Sequence, residues 1–308
     1  MSPRRNQGSP GRARVQQAAV VLPPYLERLG VKPRKALGQN FLIDELALDD
    51  IAAAAASTGV DTVLEVGAGP GGLTEELLER FARVVAVEID EELAELTRQR
   101  LGGNAALTMI AADILDFEPG ELLEEAGVQP PYVVAGNLPF YITQPIVRRL
   151  LEADPAPERI VVMVQREVAR RMVADGGRES LLSMSIKFHG KPQALRDVPS
   201  SAFWPSPKVD SAVVAIDRLS SPPVPITLEE RGSFFHLLRA GFSTPRKQLH
   251  NTLTVALGLP EREISGALEA AEIDPALRAQ HLGLADWERL FRAVESTHPK
   301  ALIIPEPA

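Results

Sequence analysis

Short apolar runs alternate with segments of helical period through the middle of the chain. "TVLEV" (62–66), "VVAVE" (84–88), "LTMIA" (107–111), "YVVAG" (132–136) and "RIVVMVQ" (159–165) are rich in β-formers and predict strands. Helical spacing fills about 73–81, 91–101, 144–153 and 166–174. Strands that alternate with helices predict a parallel sheet covered on both faces. "SLLSMSIKF" and "DSAVVAI" follow without a long helix between them and predict an antiparallel hairpin at one sheet edge. The proline-rich break "SSPPVPIT" (220–227) marks a linker. Beyond it, "LEERGSFFHLLRAGF", "RKQLHNTLTVAL", "EREISGALEAA" and "LADWERLFRAVE" all carry helical spacing. The expected organisation is a basic tail over 1–18, an α/β domain over 19–219 and a small all-helical domain over 220–308, with no internal repeat.

Composition narrows the function classes. No apolar run approaches the roughly 18 residues of a membrane span, and the basic N-terminus is not followed by the apolar core of a signal peptide. The absence of cysteine excludes disulfides, thiolate metal sites and thiol nucleophiles, and fits a reducing cytoplasm. The histidines show no ligand spacing, so no metal is expected. A net charge of −8 argues against a generic nucleic-acid binder, yet residues 1–38 hold eight basic residues against the single acid Glu27. That segment reads either as a solubilising tail or as an arm that touches phosphates.

Candidate chemistry gathers at the ends of the strands. "VLEVGAGPGG" (63–72) places Gly67, Gly69 and Gly71 after the first strand, where glycines let backbone approach a ligand and leave helix N–H groups free. Glu88 ends the second strand about 20 residues on, the position of a ribose acceptor. Because Gly72 is also present, the glycines alone leave a nicotinamide dinucleotide open. Asp113 in "AADIL" is placed to accept from an adenine amino group. Together with Glu65, these acids suit the cationic S-adenosylmethionine better than a pyrophosphate.

That choice gives "GNLPF" (136–140) a chemical meaning. An adenine exocyclic nitrogen is a poor nucleophile because its lone pair is delocalised into the ring. Two acceptors, the Asn137 side-chain oxygen and the Leu138 carbonyl, would draw it towards tetrahedral geometry facing a sulfonium methyl. Pro139 lacks an N–H and stiffens the loop; Phe140 would stack on the flipped base.

With these motifs in order, the chain resembles the ribosomal RNA adenine N6-dimethyltransferases that modify two adjacent adenines near the 3′ end of small-subunit RNA. The likeness runs from "KPRKALGQNFLID" to about residue 292, through "LEVGAGPGGLT", "AVEID", "ADIL", "GNLPF", "VMVQREVARRM", "FWPSPKVDSAVV" and "FSTPRKQLHNTL". It implies an α/β, Rossmann-like class I methyltransferase sheet with a small C-terminal helical domain. It also implies that Gln39, Asn40 and Leu42 close over S-adenosylmethionine, and that Gly67 and Gly69 line its methionine portion. Glu88 would hold the ribose with Ile89 among the cofactor contacts, Asp113 and Ile114 the adenine, and Asn137 both cofactor and target. Phe203 would offer a second aromatic face to the base. The family usually has tyrosine where Phe140 stands, asparagine at Tyr141 and glutamine at Lys187.

The implied partner is the small ribosomal subunit through its 16S rRNA, met by a monomer without metal or membrane. Arg148, Arg149, Arg246 and Lys247 are the basic candidates for RNA; Arg166 and Arg170 share a helix face that is equally a plain surface. Other readings are an erythromycin-resistance-type methylase of large-subunit RNA, an assembly checkpoint factor that acts mainly by binding, and a DNA adenine methyltransferase. The helical tail and "FSTPRKQLHNTL" favour the small-subunit enzyme.

Overall fold

The computed structural model describes residues 22–174 and 176–303. The basic tail over 1–18 lies outside the described residues. The strands are β1 (Phe41–Leu42), β2 (Thr62–Val66), β3 (Arg83–Glu88), β4 (Leu107–Ala111), β5 (Val133–Asn137), β6 (Arg159–Gln165), β7 (Gly190–Val198), β8 (Phe203–Trp204) and β9 (Ser211–Arg218). Helices α1 (Pro24–Leu29) and α2 (Glu45–Ala56) precede the sheet. Helices α3 (Gly72–Leu78), α4 (Glu91–Leu101), α5 (Pro119–Glu125), α6 (Thr143–Glu152), α7 (Arg166–Val173) and α8 (Leu181–His189) are interleaved with its strands.

The main sheet has the order β4-β3-β2-β5-β6-β9-β7. The pairs from β4 to β6 are parallel, and β9 runs antiparallel to both β6 and β7. Successive side chains of a strand point to opposite faces. Leu64, Val66, Val85, Val87, Val134 and Val162 therefore enter one core layer, while Val63, Val84, Ala86, Val133, Ala135 and Val161 enter the other. Burial on both faces is why these strands read as continuous apolar runs. Strand order reverses between β2 and β5, so the carboxyl ends of β2, β3, β4 and β5 open on one crevice.

The expected hairpin needs correction. "SLLSMSIKF" is not a strand: it forms α8, started by a capping box in which the Ser180 hydroxyl accepts from the Ser183 N–H. The strand that pairs with "DSAVVAI" is the following segment, β7, at the sheet edge. Alternation at 182, 184, 186 and 188 imitates a strand, but it is two helical stripes. Leu182 and Ile186 face the sheet core, whereas Met184 and Phe188 face the C-terminal helices. Each pair is four residues apart, the spacing of one helix face.

Those C-terminal helices, α9 (Arg231–Phe242), α10 (Leu249–Leu257), α11 (Glu261–Ala270) and α12 (Leu284–Thr297), enclose a separate apolar cluster around Phe234, Leu253, Leu268, Trp287 and Phe291. Val224 and Ile226 of the proline-rich segment are buried in it. A ribbon not legible in the sequence completes the fold: β1 pairs antiparallel with β8, setting Phe41 against Trp204 and Leu42 against Phe203.

Candidate functional site

The crevice holds a cavity of about 760 Å³ including its open mouth. Its lining draws on the 37–41 segment, the glycine loop, Glu88–Ile89, Ala112–Ile114 and Asn137–Phe140. Of the residues singled out in the sequence, Gln39, Asn40, Gly67, Gly69, Glu88, Ile89, Asp113, Ile114, Asn137, Leu138, Pro139 and Phe140 all reach this one cavity.

Gly67 and Gly69 turn sharply after β2 with φ of 79° and 54°, left-handed values that a residue with a Cβ adopts at a cost. The Gly69 N–H donates to Glu88 Oε2 at 2.8 Å, and the Asp90 N–H donates to Glu88 Oε1 at 3.0 Å. Each carboxylate oxygen keeps a further acceptor site. Burial raises the Glu88 carboxyl above its ordinary range, against the pull of those two N–H donors and with Asp90 adding to the rise. Beyond the end of β4, Asp113 Oδ1 accepts from the Leu115 N–H at 2.9 Å, fixing the carboxylate while leaving Oδ2 for another donor. Gln39 is bound on both ends. Its amide donates to Asp90 Oδ2 at 2.9 Å, and its oxygen accepts from the Arg34 N–H at 2.7 Å.

Glu65 departs from its expected part. It is buried at the root of the glycine loop, outside the cavity lining, and neither oxygen has a hydrogen-bond partner of good geometry. Burial pushes its carboxyl up to about 8, with Glu88 adding to the rise and the nearby Thr74 hydroxyl and Arg100 opposing it. At neutral pH it is mostly protonated and supplies no full negative charge. Attraction for a cationic ligand falls to Glu88 and Asp113.

Across the cavity the loop after β5 is pinned on both sides of Leu138 O. The Leu138 N–H donates to the Met163 carbonyl at 3.2 Å, and the Pro139 carbonyl accepts from the Ile142 N–H at 3.2 Å and the Thr143 hydroxyl at 3.1 Å. Among the described residues, no hydrogen-bond partner meets the Leu138 carbonyl. Asn137 Nδ2 donates to the Asn40 carbonyl at 3.2 Å. A carbonyl only accepts, so this contact assigns the amide orientation and leaves Asn137 Oδ1 unclaimed. Phe140 is half-buried against this site.

Besides Glu65 and Gly71, two further assignments do not reach the cavity. Phe203 is fully buried in the core beneath the sheet, and Leu42, paired with it across the β1–β8 ribbon, is buried there too. In this arrangement Phe203 offers no face to a base. Phe41 lines the cavity in place of Leu42 and packs against Trp204 with ring centroids 6.2 Å apart. Strand alternation across "NFL" was the available signal: adjacent residues face opposite ways.

The basic candidates separate. Arg149 is tied to Glu118 and the Leu115 carbonyl, and Arg166 pairs with Asp210 at 3.2 Å. Arg148 pairs with Glu152 one turn on and lines a groove between α6 and α9 with Arg171 and Arg239. Burial and the facing Arg148 lower the Arg239 guanidinium from its ordinary value. Arg246 and Lys247 are exposed, with no ion pair among the described residues. No group of histidine and carboxylate side chains among the described residues is arranged to hold a metal, and no described helix is long and apolar enough to cross a membrane.

A family model described as ribosomal RNA adenine dimethylase matches residues 30–295. The chain is 44% identical over 269 residues to the ribosomal RNA small subunit methyltransferase A of Dehalococcoides mccartyi, covering 86% of this chain and 89% of that one. To the protein of the same name from Moorella thermoacetica it is 38% identical over 273 residues, 86% and 94% of the two chains. Among solved structures, the 23S rRNA methyltransferase ErmE is 30% identical with a TM-score of 0.63, over 83% of this chain and 100% of that one. A dimethyladenosine transferase from Plasmodium falciparum is 26% identical with a TM-score of 0.67, over 81% and 96%.

Proposed function

The chain belongs to the ribosomal RNA adenine dimethylase family, and from that premise we propose that it dimethylates N6 of two adjacent adenines near the 3′ end of 16S rRNA during small-subunit assembly in the cytoplasm. The observation that carries the chemistry is the pair of unclaimed acceptors, Asn137 Oδ1 and the Leu138 carbonyl, on a loop held by the Leu138 N–H, the Pro139 carbonyl and the Asn137 amide.

The residues present fit S-adenosylmethionine: a glycine turn for close backbone approach, free acceptor sites on Glu88 and Asp113, and no basic residue in the cavity lining that would favour a pyrophosphate. Gly67 and Gly69 would border the methionine portion, Glu88 would accept from the ribose hydroxyls, and Asp113 with Ile114 would hold the adenine between a carboxylate and an apolar wall. When bound, the cofactor supplies an electrophilic methyl on a sulfonium. The chain's part is to make the target amine a nucleophile. Asn137 Oδ1 and the Leu138 carbonyl accept the two N6 hydrogens, which pulls the lone pair out of conjugation and aims it along the transfer direction. Phe140 holds the base by stacking, at about 1–3 kcal/mol per base. No strong general base is required, because the proton leaves after N6 has gained its methyl.

This reading divides the chain into a methyltransferase domain over 19–219 and an RNA- and subunit-contacting domain over 220–308, acting as a monomer. Arg148, Arg171 and Arg239 in the groove between α6 and α9, and Arg246 and Lys247 beyond it, then serve the RNA backbone. The likeness to ErmE supports a second reading, methylation of large-subunit RNA. The relatives at 38–44% identity, all small-subunit methyltransferases by name, favour the first. Incubation with methyl-labelled cofactor and separately purified, unmethylated small and large subunits decides: label in the small subunit supports the proposal, and label confined to the large subunit overturns it.

A further inference from the structure

The loop after β5 carries a second aromatic that the reaction as described does not use. Tyr141 is 59% exposed and is absent from the cavity lining, although its neighbours Phe140 and Ile142 both line it. Its ring lies against Gly38, on the opposite wall. A Cβ placed on Gly38 would stand 3.2 Å from Tyr141 Cδ1 and 3.3 Å from Cε1, closer than side chains ordinarily pack. Gly38 closes the short turn Lys35–Leu37 with φ of 62°. Glycine at that position therefore does two things: it permits the left-handed turn and leaves the ring a flat seat of backbone.

The seat belongs to the segment that bears Gln39 and Asn40. On the cofactor side this segment is fastened to Asp90, by the Gln39 amide at 2.9 Å and by Arg34 at 3.1 Å. On the target side it has two attachments, the Asn137 amide on the Asn40 carbonyl and the Tyr141 ring on Gly38. The first is a single neutral hydrogen bond of 3.2 Å, modest once the competition of water is counted. The second is van der Waals contact of a ring with backbone, a sum of many weak atom pairs. The ring is thus a second link between the two walls, beside that hydrogen bond.

We propose that Tyr141 is a positioning residue that braces the 35–40 segment against the methyl-transfer loop from outside the cavity, and so sets how long the methyl donor stays bound. The ring does the bracing and the phenol hydroxyl has no share in it; no hydrogen bond is made by that hydroxyl among the described residues. The inference rests on reading the cavity as the S-adenosylmethionine site, and its test has one arm that does not.

In the first arm, S-adenosylmethionine dissociation is followed by rapid mixing in the absence of RNA. Tyr141→Ala is expected to release the cofactor about fivefold faster than the parent, the scale of losing one ring's packing contacts, and Tyr141→Phe to restore the parent rate. In the second arm, ligand-free protein is treated with trypsin, and cleavage after Arg34 and Lys35 is timed. The Ala variant should be cut faster there than the parent and the Phe variant at the parent rate. Parent-like dissociation and cleavage in Tyr141→Ala overturn the proposal, as does a defect that appears only when RNA is present, because the ring then serves the substrate. A parent protein that binds no S-adenosylmethionine overturns the reading of the cavity, while the cleavage arm still decides the brace.

Discussion

The two walls of the cavity are prepared in opposite ways. On the wall we assign to the cofactor each polar side chain is already anchored to the protein, with spare acceptor sites left only on its two carboxylates: Glu88 is held by two backbone N–H groups, Asp113 by Leu115, Gln39 by Asp90 and Arg34, and the Gly69 carbonyl by the Thr97 hydroxyl at 2.8 Å. On the target side the two acceptors that matter have no protein partner, and the aromatic beside them is partly open. A wall that is hydrogen-bonded within itself holds its shape before the ligand arrives. A wall with spare acceptors keeps its binding capacity for the groups that react. The difference teaches where damage should appear. Changes on the first wall cost cofactor affinity and stability together, and changes on the second cost capture of the target and rate.

The largest effect separates the walls most sharply. Asn137→Ala should lower the single-turnover methyl-transfer rate by about 10²-fold or more, the scale of losing one preorganised polar group, while the thermal midpoint stays near the parent value. A parent rate with the fold intact would make the loop a structural turn. Glu88→Ala is the counterpart on the cofactor wall. Calorimetry should show S-adenosylmethionine affinity weakened by about 1–3 kcal/mol, together with reduced stability because the Gly69 and Asp90 N–H groups lose their acceptor. Unchanged affinity would remove Glu88 from the site.

Beneath that wall, Glu65 predicts a pH signature. Its folded value of about 8 lies above the ordinary 4.5, so between these values the folded protein holds a proton that the unfolded chain has released. Its stabilising share is complete below pH 4.5 and is lost as pH rises through about 8, at about 1.4 kcal/mol per pH unit between those values. Glu65→Gln should therefore gain on the parent in denaturant melts as pH rises from 5 to 8, and parallel curves would contradict this. Phe140→Ala should weaken capture of the target by about 1–3 kcal/mol with cofactor affinity unchanged, and Phe140→Tyr should restore it. The smallest effect per residue is expected from charge reversal at Arg246 and Lys247. Subunit methylation should fall and its salt dependence flatten, with cofactor binding spared.

The contrast also explains what the sequence could reveal. Buried parallel strands read as apolar runs, and the residue ending each run is delivered to the crevice, so Glu88, Asp113 and Asn137 were legible one strand at a time. Facing direction was not. Leu42 and Phe203 sit inside conspicuous motifs, but their burial depends on the β1–β8 ribbon, which joins segments about 160 residues apart and has no local pattern. The α8 helix misled for a related reason. Packed on both sides, it shows two apolar stripes, and together these mimic the period of a strand. Glu65 was legible as an acid but not as a protonated one, because its state follows from burial and not from its neighbours in sequence.

The account turns on which atoms receive the methyl groups. Unmethylated small subunits are incubated with the protein and S-adenosylmethionine, and the modified nucleosides are identified and positioned by mass spectrometry of nuclease fragments. The account predicts two adjacent adenines near the 3′ end of 16S rRNA, each carrying two methyl groups on N6. Modification at a different base or a different ring atom, with the cofactor bound and consumed, would contradict it.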